Sequence, residues 1–238
     1  MLVDGPNPRS DEAFQKLLLH FSAAAAQGTD VPALIRLFCR ETRAFFQVSG
    51  VYFWQSLSPD EMIGAEADGI LAERFRGLHL KASESAVAGE AVRKRRTIFV
   101  NSLDSARYPR AFEFQAKAIM AAPLVVSNEV LGAVAFLHDS KPDFFNEDLA
   151  AKATIVAGQL GSLLEARRLT EVSREDHRRA EILAEVAHAL HGNPDVAAVI
   201  EALADRIRVL LRARLVCVFM RHDGPFELRG VAAESPQL

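Results

Sequence analysis

The strongest constraint on this chain is that its opening recurs near its end. At an offset of 165, Leu17-Leu18-Leu19-His20-Phe21 falls on Ile182-Leu183-Ala184-Glu185-Val186, and Asp30-Val31 falls on Asp195-Val196. Leu34-Ile35 meets Val199-Ile200, Phe45-Phe46 meets Leu210-Leu211, and Val51-Tyr52-Phe53-Trp54 meets Val216-Cys217-Val218-Phe219. After a one-residue change in the turn, Glu61-Met62-Ile63-Gly64 meets Glu227-Leu228-Arg229-Gly230. Identities are few, but hydrophobic class is kept at the core-like positions. Two helices can share a rhythm by chance; a helix, helix, strand, turn, strand series in one register is read as duplication. The second copy ends at Leu238, just past its second strand. Two strands and a helix make a marginal unit with an open edge. The expectation is therefore a truncated second domain over residues 193–238, completed by further chain or by a partner.

The rest of the composition narrows the class. Half of the 238 residues are hydrophobic and a quarter are charged, which is ordinary for a soluble globular chain. A net charge of -3 offers no global handle for nucleic acid or an anionic membrane, so neither is expected as a partner. Cys39 and Cys217 are too few for a disulfide framework and fit a reducing compartment. The polar, proline-containing first ten residues are no signal peptide, and no apolar run reaches the roughly 18–20 residues of a membrane helix. The expected location is the cytoplasm.

Local patterning places the elements. Phe14, Leu17, Leu18 and Phe21 form a helical stripe over residues 11–27, and Thr29-Asp30 then caps a second helix through Leu34, Ile35, Phe38 and Phe45. Residues 48–55 and 61–68 read as a hairpin around Ser58-Pro59-Asp60. Short helices are expected over residues 70–77, 85–96 and 108–117, and strands over 97–100, 119–126 and 130–138. Asn146 caps a helix running to about His191, on the order of 65–70 Å if unbroken. One small domain is not that deep, so much of the helix must project or pair. Helices and hairpins without regular alternation give an α+β domain with an antiparallel sheet.

Several segments, in order, resemble the GAF family of small-molecule-sensing domains. Phe45-Phe46-Gln47-Val48-Ser49-Gly50-Val51-Tyr52-Phe53-Trp54 resembles the family's entry into its first strand. Ser85-Ala86-Val87-Ala88-Gly89-Glu90-Ala91, leading into Thr97-Ile98-Phe99-Val100, resembles its glycine-containing helix and following strand. Ala122-Pro123-Leu124, Val130-Leu131-Gly132-Ala133-Val134 and Phe145-Asn146-Glu147-Asp148 resemble its last strand pair and closing helix. The resemblance implies a GAF-like antiparallel sheet of about six strands flanked by helices, with a pocket for a small ligand or chromophore. It implies a regulatory role beside a histidine kinase, cyclase, phosphodiesterase or transcription activator in a bacterial signalling protein, often as a dimer. The expected organisation is a disordered tail (1–10), an N-terminal helix (11–29), a GAF domain (30–169), a signalling helix (170–192) and a partial second GAF domain (193–238).

Catalytic chemistry finds no anchor. No G-x-S-x-G, Walker A, H-E-x-x-H or C-x-x-C pattern is present. His188 and His191 share a helix but lack a third ligand nearby. The segment Glu185-Val186-Ala187-His188-Ala189-Leu190-His191 resembles a histidine-kinase phosphoacceptor, yet Ala189 lacks the acidic neighbour and His191 replaces a basic residue. The repeat explains it better. Cys39 and Cys217 read as buried small hydrophobes, which argues against covalent bilin attachment and against the thiol chemistry of GAF-type methionine sulfoxide reductases. Heme through His79 or His138 is chemically open. Only the Phe145, Glu147, Asp148 part of the family's cyclic-nucleotide pattern is present. No cofactor is named.

Residues 102–120 remain, which by the resemblance lie over the pocket. Trp54, His79, Arg107, Tyr108, Phe112, Phe114 and Met120 are the expected ligand contacts, with Arg110 beside them as a further cation. Two readings stand: these aromatics wall a pocket, or they fill core. Two functions stand with them. The favoured one is a ligand sensor that relays occupancy through the long helix, dimerised along Ile155, Val156, Leu160, Leu163, Leu164, Leu169, Ile182, Leu183 and Val186, to an output domain outside this chain. The alternative is a ligand-free dimerisation module.

Overall fold

The computed structural model describes residues 9–81, 84, 86–192, 196–221 and 224–233, apart from the side chains of residues 183, 185–192, 196 and 210. The expected tail lies outside these residues except for Arg9 and Ser10, as do Ser85 and the side chains of Leu183, Val186, His188 and His191. The chain forms two compact units, Met1–Leu169 and Thr170–Leu238.

In the first unit, α1 (Asp11–Ala26) starts where the Ser10 hydroxyl accepts the Ala13 N–H at 3.2 Å. In α2 (Val31–Phe46) the Asp30 carboxylate accepts from Ala33 at 2.7 Å and Pro32 sits in the first turn, where no N–H is missed. Gln47, left-handed at φ 52°, stops α2 and turns the chain into β1 (Gly50–Ser58) and β2 (Glu61–Gly69). Then follow α3 (Ala72–Phe75), β3 (His79–Lys81), α4 (Val87–Lys94), β4 (Ile98–Val100), α5 (Pro109–Glu113), β5 (Ala118–Val126), β6 (Glu129–His138) and α6 (Glu147–Gly192). At the start of α6, the Asn146 side-chain Oδ1 accepts from Leu149 N–H at 2.9 Å.

The six strands form one antiparallel sheet in the order β3-β2-β1-β6-β5-β4. Side chains alternate across it with period two, and both faces are covered. Val51, Phe53, Met120, Leu124, Val134 and Phe136 pack beneath α1, α2 and the first turns of α6. Tyr52, Trp54, Ala121, Ala133, Ala135 and Leu137 face α3, α4 and the α5 segment. The α1 helix joins the first core through Phe14, Leu17 and Phe21, and Gln159 of α6 donates to the Leu18 carbonyl at 2.8 Å. It packs into the same core as α2 and the first turns of α6.

The helix stripe assigned to pairing divides. Val156 and Leu160 are buried against the sheet and Leu163 and Leu164 pack partly there, because the first turns of α6 form the third helix of the layer. Ile155, Leu169 and Val172 are exposed. The polar stretch Ser173–Glu181 is continuous helix, laced by His177–Glu181, Arg179–Glu175 and Arg179–Asp176 pairs at i,i+3 and i,i+4 spacing.

The second unit carries α7 (Val196–Leu211) and an antiparallel hairpin of β7 (Leu215–Met220) and β8 (Glu227–Ala233). The repeat is visible in backbone detail. The bounds of α7 are those of α2 shifted by the sequence offset, and Arg212 at φ 51° stands where Gln47 stands at φ 52°. The pairing irregularity between Phe53 and Trp54 recurs between Val218 and Phe219. Among the described residues β7 is hydrogen-bonded only to β8, whereas β1 is paired on both sides.

Candidate ligand-binding site

The second face of the sheet holds a cavity between β1, β6 and the α4 and α5 segments. Its floor is set by Trp54. The bulge at Phe53/Trp54 aims this residue, and two glycines let its neighbours approach. A Cβ on Gly132 would lie 2.1 Å from the Trp54 carbonyl oxygen, so only glycine lets β6 run this close. A Cβ on Gly64 would lie 2.3 Å from the Phe75 carbonyl oxygen. Hydrogen bonds from Gly64 N–H to Leu78 and from Gly77 N–H to Gly64, both 2.8 Å, draw the α3–β3 segment onto β2. That brings Phe75 edge-on to Trp54 at 4.6 Å between ring centroids, beside Tyr52 and Phe114. Each such pair contributes about 0.5–1.5 kcal/mol beyond burial.

One wall is α4, whose Val87, Ala88, Ala91 and Val92 are buried on this face. The cover is the α5 strap. No residue of α5 is itself buried; the strap is pinned at its ends by buried Tyr108 and Phe114. The Tyr108 hydroxyl donates to Glu90 Oε2 at 2.9 Å. Its bond to Lys94 above all, and that to Tyr108, hold the Glu90 carboxyl below its ordinary range, while burial and the Glu90 charge push the Tyr108 hydroxyl up. Arg110 donates to the His79 carbonyl at 3.0 Å and to Glu84 Oε2 at 2.9 Å, tying the strap to β3 and the following turn. A part-exposed pair of this kind is worth only about 0–1 kcal/mol. The strap is lightly held.

The cavity measures about 50 Å³, and its walls are almost entirely apolar. Burial raises the Tyr52 hydroxyl well above its ordinary range, keeping it a neutral donor to the Ile70 carbonyl at 2.5 Å. Among the described residues no cysteine, histidine or carboxylate lines the space. Trp54 is the one polar side chain in the lining with no partner among the described residues.

Of the residues expected from sequence, Trp54, Tyr108, Arg110 and Phe114 come together in the lining. The others lie elsewhere. The exposed His79 ring pairs outward with Glu61 at 2.8 Å, and only its backbone serves the strap. Arg107 is exposed, paired with Glu90 at 3.6 Å and stacked on the outer face of the site over Tyr108. Phe112, on the solvent side of α5, is 42% exposed. Met120 is fully buried on the opposite face of the sheet, because it shares strand parity with Ala118, Ala122 and Leu124; its neighbour Ile119 lines the cavity instead. Tyr52, Phe75, Leu80 and Leu137 were not anticipated. Tyr52 and Leu137 are legible from alternation once Trp54 is taken as facing the site, whereas Phe75 and Leu80 depend on β3.

His138, the other histidine considered for heme, caps a turn. Its Nδ1 accepts from Ser140 and Lys141 N–H at 3.2 and 3.1 Å, and burial lowers its pKa. Cys39 is buried in the helix-side core, where burial raises its thiol, and Cys217 is an exposed strand residue of the second unit. Among the described residues no group of three or more His, Cys, Asp or Glu is placed to hold a metal ion. No helix among them is long and apolar enough to cross a membrane.

The profile of the GAF domain matches residues 28–165, more than half of the chain. The chain belongs to the GAF domain family. Solved GAF structures share its fold at low identity. The GAF domain of an Acinetobacter phosphoenolpyruvate-protein phosphotransferase is 12% identical with a TM-score of 0.57, over 68% of this chain and 99% of its own. The free methionine-R-sulfoxide reductase of Neisseria meningitidis, solved with its substrate, is 22% identical at 0.56, over 68% and 95%. Bacteriophytochrome RpBphP3 of R. palustris is 13% identical at 0.68, over 97% of this chain and 53% of its own, so this chain spans about half of that protein. No curated protein matches the sequence. GAF domains are sensory ligand-binding modules of signalling proteins, phytochromes among them.

Proposed function

We propose that this GAF domain binds a small molecule in the cavity beneath α5 and passes its occupancy through α6 to an output domain beyond this chain. The observation that carries this is the cavity itself: an apolar space between the sheet and a strap whose helix buries no residue of its own. Sites of this form, with few polar groups, suit small ligands. The opposite face of the same sheet shares a core with the first turns of α6, where Gly161 lies against Leu124 and Val126 of β5, the strand whose Ile119 lines the cavity. A ligand that shifts β5 therefore acts on the seat of α6, to the extent that it favours one of two states.

The second unit is read as the opening of another GAF domain, and the exposed Ile155, Leu169 and Val172 as part of a homodimer seam along α6. These residues also suit a ligand-free dimerisation module, the competing reading. Among the described residues neither Cys39 nor Cys217 lines the cavity, and no catalytic role is proposed. Native mass spectrometry of freshly purified chain, with a thermal-shift screen, separates the two. A bound or stabilising small molecule that is lost when Ala135→Leu fills the cavity supports the sensor. Stabilisation by no compound, with a dimer present throughout, supports the alternative.

A further inference from the structure

The cavity's chemistry restricts what it can hold. A cation would find no carboxylate in the lining, since Glu90 stands behind Tyr108 and accepts its hydroxyl. An anion would find one cation, Arg110, already bonded to Glu84 and to the His79 carbonyl. Taking that guanidinium means evicting a carboxylate to seat a carboxylate, with no gain to offset the loss of the newcomer's hydration in an apolar space. An uncharged molecule meets neither obstacle. Rings are already the favoured neighbours here, with Tyr52, Trp54, Phe75 and Phe114 in edge-on or tilted contact, and the unpartnered Trp54 indole N–H is available to one acceptor atom.

Size adds a second restriction. The space of about 50 Å³ is well below the ~150 Å³ that holds a benzene ring in a dry protein cavity. A ring-sized guest therefore requires the walls to part. The sheet is hydrogen-bonded on both sides of β1 and β6, and α4 buries Val87, Ala88, Gly89, Ala91 and Val92, so neither yields readily. Between its buried ends Tyr108 and Phe114 the helix α5 carries no buried residue, and its tie to β3 and Glu84 is the part-exposed Arg110.

We infer that the cavity receives a small uncharged molecule with a ring-sized apolar body and one hydrogen-bond acceptor, admitted when Arg110 releases Glu84 and the His79 carbonyl and α5 lifts. This rests on the cavity being a ligand site. Release of the strap couples occupancy to α5, so the ligand would be sensed as a change in how α5 seats on the domain.

Trp54 is the sole tryptophan and reports on the cavity directly. The full chain is titrated with benzyl alcohol, benzoate and benzylammonium while Trp54 emission is followed, alongside the Ala135→Leu chain. The expected result is saturable binding of the alcohol at least tenfold tighter than either ion, abolished by Ala135→Leu. Equal or tighter binding of an ion overturns the ligand class and leaves the cavity reading intact. No response to any of the three, or an unchanged response in Ala135→Leu, overturns both. Stopped-flow association of the alcohol should quicken at least fivefold in Arg110→Ala and in Glu84→Gln. Unchanged rates in both variants overturn the entry route.

Discussion

At the residue scale, the site depends on two glycines that carry no side chain into it. Adding a Cβ at Gly64 forces the Phe75 carbonyl to move, and backbone has little room to give. Gly64→Ala is expected to cost about 1–3 kcal/mol in urea unfolding and to shift Trp54 emission, because Phe75 leaves the indole. Emission unchanged from the parent would contradict this packing account. His138 offers a pH test. Burial lowers its pKa from the ordinary 6.5, so the unfolded chain takes up the proton first as pH falls. Its contribution to stability is full above pH 6.5 and declines below it, towards the lowered value. Unfolding from pH 7.5 down to 5.5 should show this decline, and His138→Gln should flatten it. Of the residues expected as ligand contacts, Trp54, Tyr108 and Phe114 share one space, whereas Met120 lies one residue out of phase on the other face. Alternation alone carries the parity, and β5 begins at Ala118 without a residue that marks its start.

At the element scale, most boundaries were written in caps and stops that act within a turn or two. Asp30 and Pro32 define the start of α2, and Asn146 the start of α6. Asp30→Ala is expected to lower stability by about 0.5–2 kcal/mol in thermal unfolding, since it orphans an N–H at the helix start. Elements held by distant partners were harder to read. β3 is three residues, His-Leu-Lys, with only Leu80 buried, and it exists because Met62 and its neighbours in β2 pair with it. The expected helix over residues 108–117 contracts to α5, because Pro109 sets its first turn and Gln115 is left-handed at φ 58°. The brevity of α5 is what leaves it without a buried residue of its own. Hydrogen exchange within α5 is expected to approach that of an exposed turn, and to accelerate in Arg110→Ala while global stability changes by no more than about 1 kcal/mol.

At the scale of the whole molecule, the chain's repeat is its most legible property, down to the left-handed residue after each second helix and the bulge in each hairpin. What the sequence left open was the fate of the apolar stripe on α6. A helix beneath a sheet and a helix in a pair use the same spacing, and only the sheet's width decides how many turns it claims. Those turns end near Leu164; Leu169 and Val172, three apart, remain exposed. Leu169→Glu with Val172→Glu is expected to shift sedimentation equilibrium towards monomer while the thermal transition of the GAF domain stays in place. An unchanged dimer would move the seam elsewhere. The central claim is that the cavity and α6 are coupled through the sheet they share. Hydrogen–deuterium exchange along the full chain, with and without saturating benzyl alcohol, tests it most directly. The account predicts slower exchange in α4 and α5 together with a change in α6 beyond residue 165; protection confined to the cavity walls, with α6 unaltered, would contradict it.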